Sequence, residues 1–267
     1  MRDVEDTLLF LNRQGIFPYA GESLHPFLQR AERFNEPKTI EFFLTPALLL
    51  CEKLFDMRPT WVEVQQKQKG LSLWQGAALW VQEGEPFIQI SPRLSKQFKR
   101  WYTLEEVVAH ELLHAARLTL CSSHFEEIAA YQTSPQRYRR YFGPLIRSPA
   151  EVYVFLGALV CLGVGSLWPL FSYCAYLAPF LCLYALMRLF IAQRTFRRCR
   201  EKLAFLLQEK SKALALLVRL TDEEVRLFAH SSQQEIYRYV EQKKEQELRW
   251  RMLTLAYPFS VTSLDGL

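Results

Sequence analysis

Residues 103–131 read TLEEVVAHELLHAARLTLCSSHFEEIAAY, and the rest of the chain takes its meaning from them. Thr103 is a natural N-cap, and Glu106 three residues later completes the pattern of a capping box. Glu105 and Glu106 suit the positive end of a helix dipole. Val107, His110, His114 and Leu118 then recur at helical spacing. His110-Glu111-Leu112-Leu113-His114 is therefore an H-E-x-x-H on a helix, and residues four apart share one face a single turn apart. The chain holds only five histidines, and two of them fall at this spacing around a glutamate. Two imidazoles on one face can bind one zinc ion, with Glu111 leaning over the open coordination position as a base. The bland reading is an amphipathic helix that happens to carry two histidines.

A catalytic zinc needs a third protein ligand. Cys121 to Ser123 reads as a break, and Ser123 with Glu126 has the form of a second capping box. A helix folding back from there brings Glu126 or Glu127 toward the histidines. At this point the chain resembles the gluzincin metallopeptidases, whose third ligand is a glutamate on a following helix, often within E-x-x-A. Glu126-Glu127-Ile128-Ala129-Ala130-Tyr131 matches that pattern with Glu126 as the ligand, and Glu127 is the alternative because Ala130 lies three residues after it. The resemblance implies a zinc-dependent metalloendopeptidase that hydrolyses peptide or protein substrates with a Zn2+ cofactor.

Composition sets broad limits. The chain has 267 residues, half of them hydrophobic, so a substantial core is expected. Lys and Arg number 33 against 28 Asp and Glu, too mild an excess to imply a nucleic-acid partner. The six cysteines form no C-x-x-C pair, which argues against a disulfide framework and for a reducing compartment. No secretory signal pattern opens the sequence.

Residues 1–37 read as short helices and turns, with His25 before Pro26 in a turn. Residues 38–57 read as an amphipathic helix that Pro46 kinks or divides. From Pro59 the period changes to two, and short strands are expected at Thr60–Val64, Leu71–Trp74, Ala78–Val81 and Phe87–Ile90. By the gluzincin resemblance, Gly76 to Val81 is the edge that pairs with extended substrate.

Beyond the H-E-x-x-H region, Gln136 to Phe142 is basic with interleaved aromatics and reads as a juxtamembrane anchor. Ser148-Pro149-Ala150-Glu151 opens a helix. Val152 to Ala192 is almost wholly apolar, with Arg188 the only charge. That length suits two spans of ~20 residues each, with legs at 149–167 and 169–190 and an apex at Ser166-Leu167-Trp168-Pro169. Arginines flank both open ends: Arg137, Arg139, Arg140 and Arg147 before, Arg194, Arg197, Arg198 and Arg200 after. By the positive-inside rule, an integral protein of the inner or plasma membrane is expected, with both termini and the metal-site domain cytoplasmic.

Residues 200–257 return to helical sequence. Leu203 to Leu220 forms one amphipathic stretch, Thr221 to Glu224 caps the next helix, and Gln242 to Arg251 reads as a solvated charged run. His230 is a candidate transition-state donor, though a surface histidine is the plainer reading. Arg200-Glu201-Lys202-Leu203-Ala204-Phe205 also echoes the R-E-x-x-A-D of integral-membrane zinc proteases of the heat-shock and prenyl-protein type, with Phe205 in place of the acid. That second resemblance makes Glu201 a rival third ligand.

The expected architecture is α+β: a mainly helical zincin-like domain with a small sheet (1–147), a two-helix transmembrane hairpin (148–192) and a C-terminal cytoplasmic helical region (193–267). The expected site is His110, His114 and Glu126 on zinc with Glu111 as general base. The alternative function is a catalytically inactive, metallopeptidase-like membrane adaptor that binds protein partners.

Overall fold

Helix α4 (Leu104–Arg117) lies in the middle of the molecule, because one of its faces carries Val108, Ala109, Leu112 and Ala116, all buried. The computed structural model describes residues 2–34, 44–71, 75–94, 102–146, 149–167 and 176–259. Around α4 stand α1 (Arg2–Arg13), α2 (Leu24–Glu32), α3 (Thr45–Phe55) and three strands, β1 (Glu63–Gln66), β2 (Ala77–Gln82) and β3 (Glu85–Ile90). The small residues of α4 let α3 approach closely, and the buried Cys51 thiol of α3 faces the Ala109 carbonyl at 3.6 Å. Where the chain leaves α1, Gly15 adopts φ +70°, and a Cβ there would meet Ala116 at 3.0 Å. Only glycine fits both the left-handed turn and the contact.

The sheet has the order β1-β3-β2, with β1 parallel and β2 antiparallel to β3. Among the described residues β2 is therefore an edge strand. Pro46 lies in the first turn of α3, where its missing N–H costs nothing, and residues 38–43 of the expected helix lie outside the described residues. One local expectation is corrected here. His25 likewise lies in the first turn of α2, beside Pro26, rather than in a turn. The expected strand at Leu71–Trp74 falls largely outside the described residues.

After α4 come α5 (Glu126–Ala130), α6 (Arg137–Phe142), α7 (Pro149–Leu167) and α8 (Leu177–Leu206). The C-terminal part adds α9 (Lys210–Leu217), α10 (Asp222–His230), α11 (Gln233–Gln246) and α12 (Leu248–Ala256). One continuous hydrophobic core contains Leu8, Phe27 and Phe55 from before the apolar segment and Leu203, Leu216 and Trp250 from after it. The two expected cytoplasmic regions thus fold as one body. Arg219, fully buried, fastens them together: its guanidinium donates to the Asn12 side chain at 2.8 Å, the Phe55 carbonyl at 2.7 Å and the Asp56 carbonyl at 2.9 Å. Tyr257 closes the same junction by donating to Asp56 at 2.9 Å.

Gln242 to Arg251 is not wholly a solvated run. Arg249 and Trp250 are buried, and both donate to the carboxylate of Glu224, an acid that also serves the Thr221 capping box at the start of α10. The partner lies 25 residues upstream of Arg249, so nothing in the local charge pattern reveals it.

Helix α8 is the one described helix that is by itself long and apolar enough to cross a membrane. It runs for 30 residues without a break. Its second half turns Ala192, Phe196, Cys199, Leu203 and Leu206 into the core, whereas its first half leaves Phe180, Leu183, Met187, Phe190 and Ile191 exposed. Helix α7 packs against that first half and is equally apolar outside, with Tyr153, Leu156 and Val160 exposed. Arg188 of α8 pairs with Glu151 of α7 through two hydrogen bonds, at 2.6 and 2.9 Å. The segment joining the helices, which holds Trp168 and Pro169 of the expected apex, lies outside the described residues.

Candidate metal centre

The site begins with the phase of α4. Thr103 caps it, its hydroxyl accepting the Glu106 N–H at 3.3 Å. The reciprocal half of the expected capping box is not made, because the Glu106 carboxylate instead takes the Arg139 guanidinium at 2.8 Å in a buried pair. One turn on, His110 and His114 point the same way, with their Nε2 atoms 3.1 Å apart.

The second component is α5. A short turn at Leu118–Leu120 and a left-handed Cys121 reverse the chain, and α5 returns against α4. The expected cap at Ser123 is not observed: α5 starts after Phe125, with no side-chain cap of its own. Asp222, at the head of α10, serves in its place, accepting the backbone N–H groups of His124 at 2.6 Å and Phe125 at 3.1 Å. Ser122 answers by accepting the Asp222 N–H at 3.1 Å.

This start point decides which carboxylate meets which nitrogen. Glu127 lies 3.4 Å from His114 Nε2 and 3.6 Å from His110 Nε2. Glu126 goes to the other side of the same imidazole, its Oε1 2.8 Å from His114 Nδ1. His110 hydrogen-bonds the Ala130 carbonyl. The structure therefore groups His110, His114 and Glu127 as the set that can hold a metal ion. Glu126, expected in that set, stands behind it as an orienting partner, the usual arrangement for the second nitrogen of a ligating histidine. Glu201 is two-thirds exposed on α8 and pairs with Arg197. His230 lies exposed beside Lys202, among residues distinct from those lining the metal cavity.

These donors suit zinc. Ligands at 2.0–2.1 Å and tetrahedral angles lie about 3.3 Å from one another, and the separations of 3.1, 3.4 and 3.6 Å fall around that edge. Burial first, and then the His114 and Arg139 charges, hold His110 well below its ordinary value and so neutral. Burial draws His114 down too, but Glu126, Glu111 and Glu127 override it and push it up to about 9. A metal binding there displaces a proton.

Glu111 lies partly buried next to this cluster. Burial raises its carboxyl above the ordinary value; the His114 charge opposes the rise, and the Glu127 charge adds to it. The backbone of Leu79 hydrogen-bonds it from the edge strand β2, which ties Glu111 to the expected substrate edge. Beside His110 and Glu111 opens a cavity of about 360 Å³, walled by Ala77 of β2, Val107, Tyr102, Tyr131 and Arg139.

Of these, Tyr102 and Arg139 were not legible as site residues. Tyr131 sets its ring edge-on to His110 with centroids 5.0 Å apart, and Arg139 stacks over the Tyr102 ring at 3.9 Å. Arg139 sits in a basic run that reads as a membrane anchor, yet it is the buried member of its helix. The one available signal was Tyr131, an aromatic directly after the E-x-x-A of Glu127. Comparison with family models, with characterised proteins and with solved structures returns no match.

Proposed function

We propose that this chain is a membrane-anchored zinc-dependent metallopeptidase, with His110, His114 and Glu127 holding the metal and Glu111 acting as general base. The observation that carries the reading is the meeting of two Nε2 atoms 3.1 Å apart at the Glu127 carboxylate, with a partly buried Glu111 alongside. Zinc held there supplies a water acidified toward neutral pH and an electrophile for a carbonyl oxygen. Glu111 takes the proton of the attacking water, and its raised pKa favours that uptake. It then delivers the proton to the departing amine, as the peptide C–N bond breaks and a new carboxyl group forms. The outer edge of β2 offers backbone groups to an extended peptide, and the adjacent cavity takes a side chain.

In this reading α7 and α8 are the two legs of a transmembrane hairpin. Support comes from the apolar exposure along both helices and from the Glu151–Arg188 pair, which neutralises the charges nearest the open end. The arginines beyond that end favour a cytoplasmic side for it, and for the metal site with it.

Elemental analysis of the purified protein tests the centre. One zinc per chain is expected in the wild type and none in His110→Ala. Glu111→Gln is expected to keep its zinc and to cleave a mixed peptide library at least ~100-fold more slowly. A zinc-free wild type sinks the reading and leaves the inactive membrane adaptor.

A further inference from the structure

A second cavity, of about 390 Å³, lies on α8 where its apolar half gives way to its charged half. Phe190, Arg194, Arg197 and Arg200 recur every three or four residues and line it from one face of the helix. Tyr141 of α6 forms the opposite wall, fixed in place because the Gln193 amide donates to the Arg140 and Tyr141 carbonyls at 3.2 and 3.1 Å. No acidic residue is among the described residues lining the cavity. Arg197 meets Glu201 from outside at 3.5 Å, in a contact exposed on both sides. Arg200 is held below its ordinary value by burial and then by the Arg140 guanidinium. Several cations thus converge on one hollow with little to neutralise them.

The order of the lining residues along the helix gives the ligand its shape. Phe190 lies toward the exposed apolar half of α8, while Arg194, Arg197 and Arg200 follow toward the core-facing half. From 190 to 200 the helix rises ~15 Å, a depth that takes in the headgroup layer and the adjoining acyl region of one leaflet. Inorganic phosphate would use only the arginines. A lipid uses the whole gradient, with its phosphate on the guanidiniums and the start of its chains on Phe190 and Tyr141.

We propose that this hollow is a binding site for the headgroup of an anionic phospholipid, taken from the cytoplasmic leaflet around the hairpin. The site rests on the hairpin reading, but not on the metal chemistry. Bound there, the lipid bridges α6 to α8 and braces the segment that carries Arg139 into the cavity beside the metal.

The test uses the full chain, reconstituted in nanodiscs of phosphatidylcholine alone or mixed with phosphatidylglycerol and then released for native mass spectrometry. The wild type is expected to retain phosphatidylglycerol in preference to phosphatidylcholine. The triple variant Arg194→Gln/Arg197→Gln/Arg200→Gln is expected to bind phosphatidylglycerol on the order of 100-fold more weakly, at roughly fivefold for each arginine lost. Arg194→Gln alone, an exposed change, covers the case in which the triple variant fails to fold, and about a fivefold loss is expected of it. Arg251→Gln, an exposed charge on α12, should change nothing. Equal retention of the two lipids, or unchanged retention in both cavity variants, overturns the site while the hairpin stands. Thermal stabilisation by inorganic phosphate equal to that by phosphatidylglycerol overturns the lipid as ligand. Release of the chain from membranes by alkaline carbonate overturns the hairpin reading, and the site with it.

Discussion

Asp222 holds the backbone N–H groups of both His124 and Phe125, and so a residue made after the apolar segment sets the first turn of the helix carrying Glu126 and Glu127. It touches no candidate ligand. Its removal frees two N–H groups at the head of α5 and lets that short helix turn or fray. Asp222→Ala is therefore expected to weaken zinc binding by about 10-fold, toward the low end for outer-sphere changes, with far-UV helicity nearly unchanged. Competition against a chromophoric chelator measures this, and an unaltered affinity would show that α5 holds its phase unaided.

The two neighbouring glutamates separate cleanly by role. Glu127→Gln is expected to empty the site under mild chelator challenge, because the neutral amide loses charge and a strong metal–oxygen bond. Glu126→Gln keeps a hydrogen bond to His114 Nδ1 but loses its charge, for a weakening of about 10- to 100-fold. Glu201→Gln should behave as wild type. If Glu126→Gln loses zinc first, the assignment of the two is reversed.

Gly143 and Tyr131 form a tighter dependence than either residue suggests alone. A Cβ on Gly143 would stand 2.3 Å from Tyr131 Cδ1, so the ring has nowhere to stay when a methyl group arrives. Gly143→Ala is expected to cost about 1–3 kcal/mol and to push the Tyr131 ring toward the cavity beside His110. Once a cleaved peptide is in hand, KM should change more than kcat. Identical stability and KM in the two proteins would show that the ring yields freely.

Glu224 gives the protein an acid-side limit. Burial alone would raise this carboxyl, but the Arg249 guanidinium and then the Thr221 N–H hold it below its ordinary value of 4.5. The folded state binds that proton less readily than the unfolded one. The stability it lends is therefore present above the unfolded value and is lost as pH falls through the depressed folded value. Glu224→Gln is expected to cost ~3–5 kcal/mol at neutral pH and to flatten the fall of Tm with acidification. Parallel acid limbs in the two proteins would place the titration elsewhere.

Reporter fusions at residue 140 and at Leu267 should give the same side of the membrane, and one at Trp168 the opposite side. Disagreement between the first two means an odd number of crossings, and the C-terminal helices could not then share a core with α1 and α3.

What the sequence reveals follows how far each determinant reaches. Helix α4 was legible because its cap and its hydrophobic period lie within 15 consecutive residues. Strand β2 announced itself as a short apolar run ahead of Gly84, and α10 by the local Thr221 box. The choice between Glu126 and Glu127 was different in kind. Successive helical residues point about 100° apart, so a shift in the start of α5 exchanges the carboxylate facing the two Nε2 atoms for the one behind them. Ser123 looked like that start. The actual start is set by Asp222, 97 residues beyond Phe125, and no local pattern carries it. Arg139 and Arg249 were hidden for the same reason: each reads as surface charge until the distant or differently placed acid that buries it is known.

The Arg219 junction has a consequence for the order in which the protein comes into being. Asn12 and Phe55 leave the ribosome long before the arginine that binds them, and the whole apolar segment is synthesised in between. The N-terminal half must wait with an open seam in its core and α5 without its brace. On the proposed topology, the hairpin is already in the bilayer when Arg219 and Asp222 arrive. On the proposed function, the nascent chain thus carries its H-E-x-x-H through translation in a form not yet able to cut, and the site matures only at the membrane.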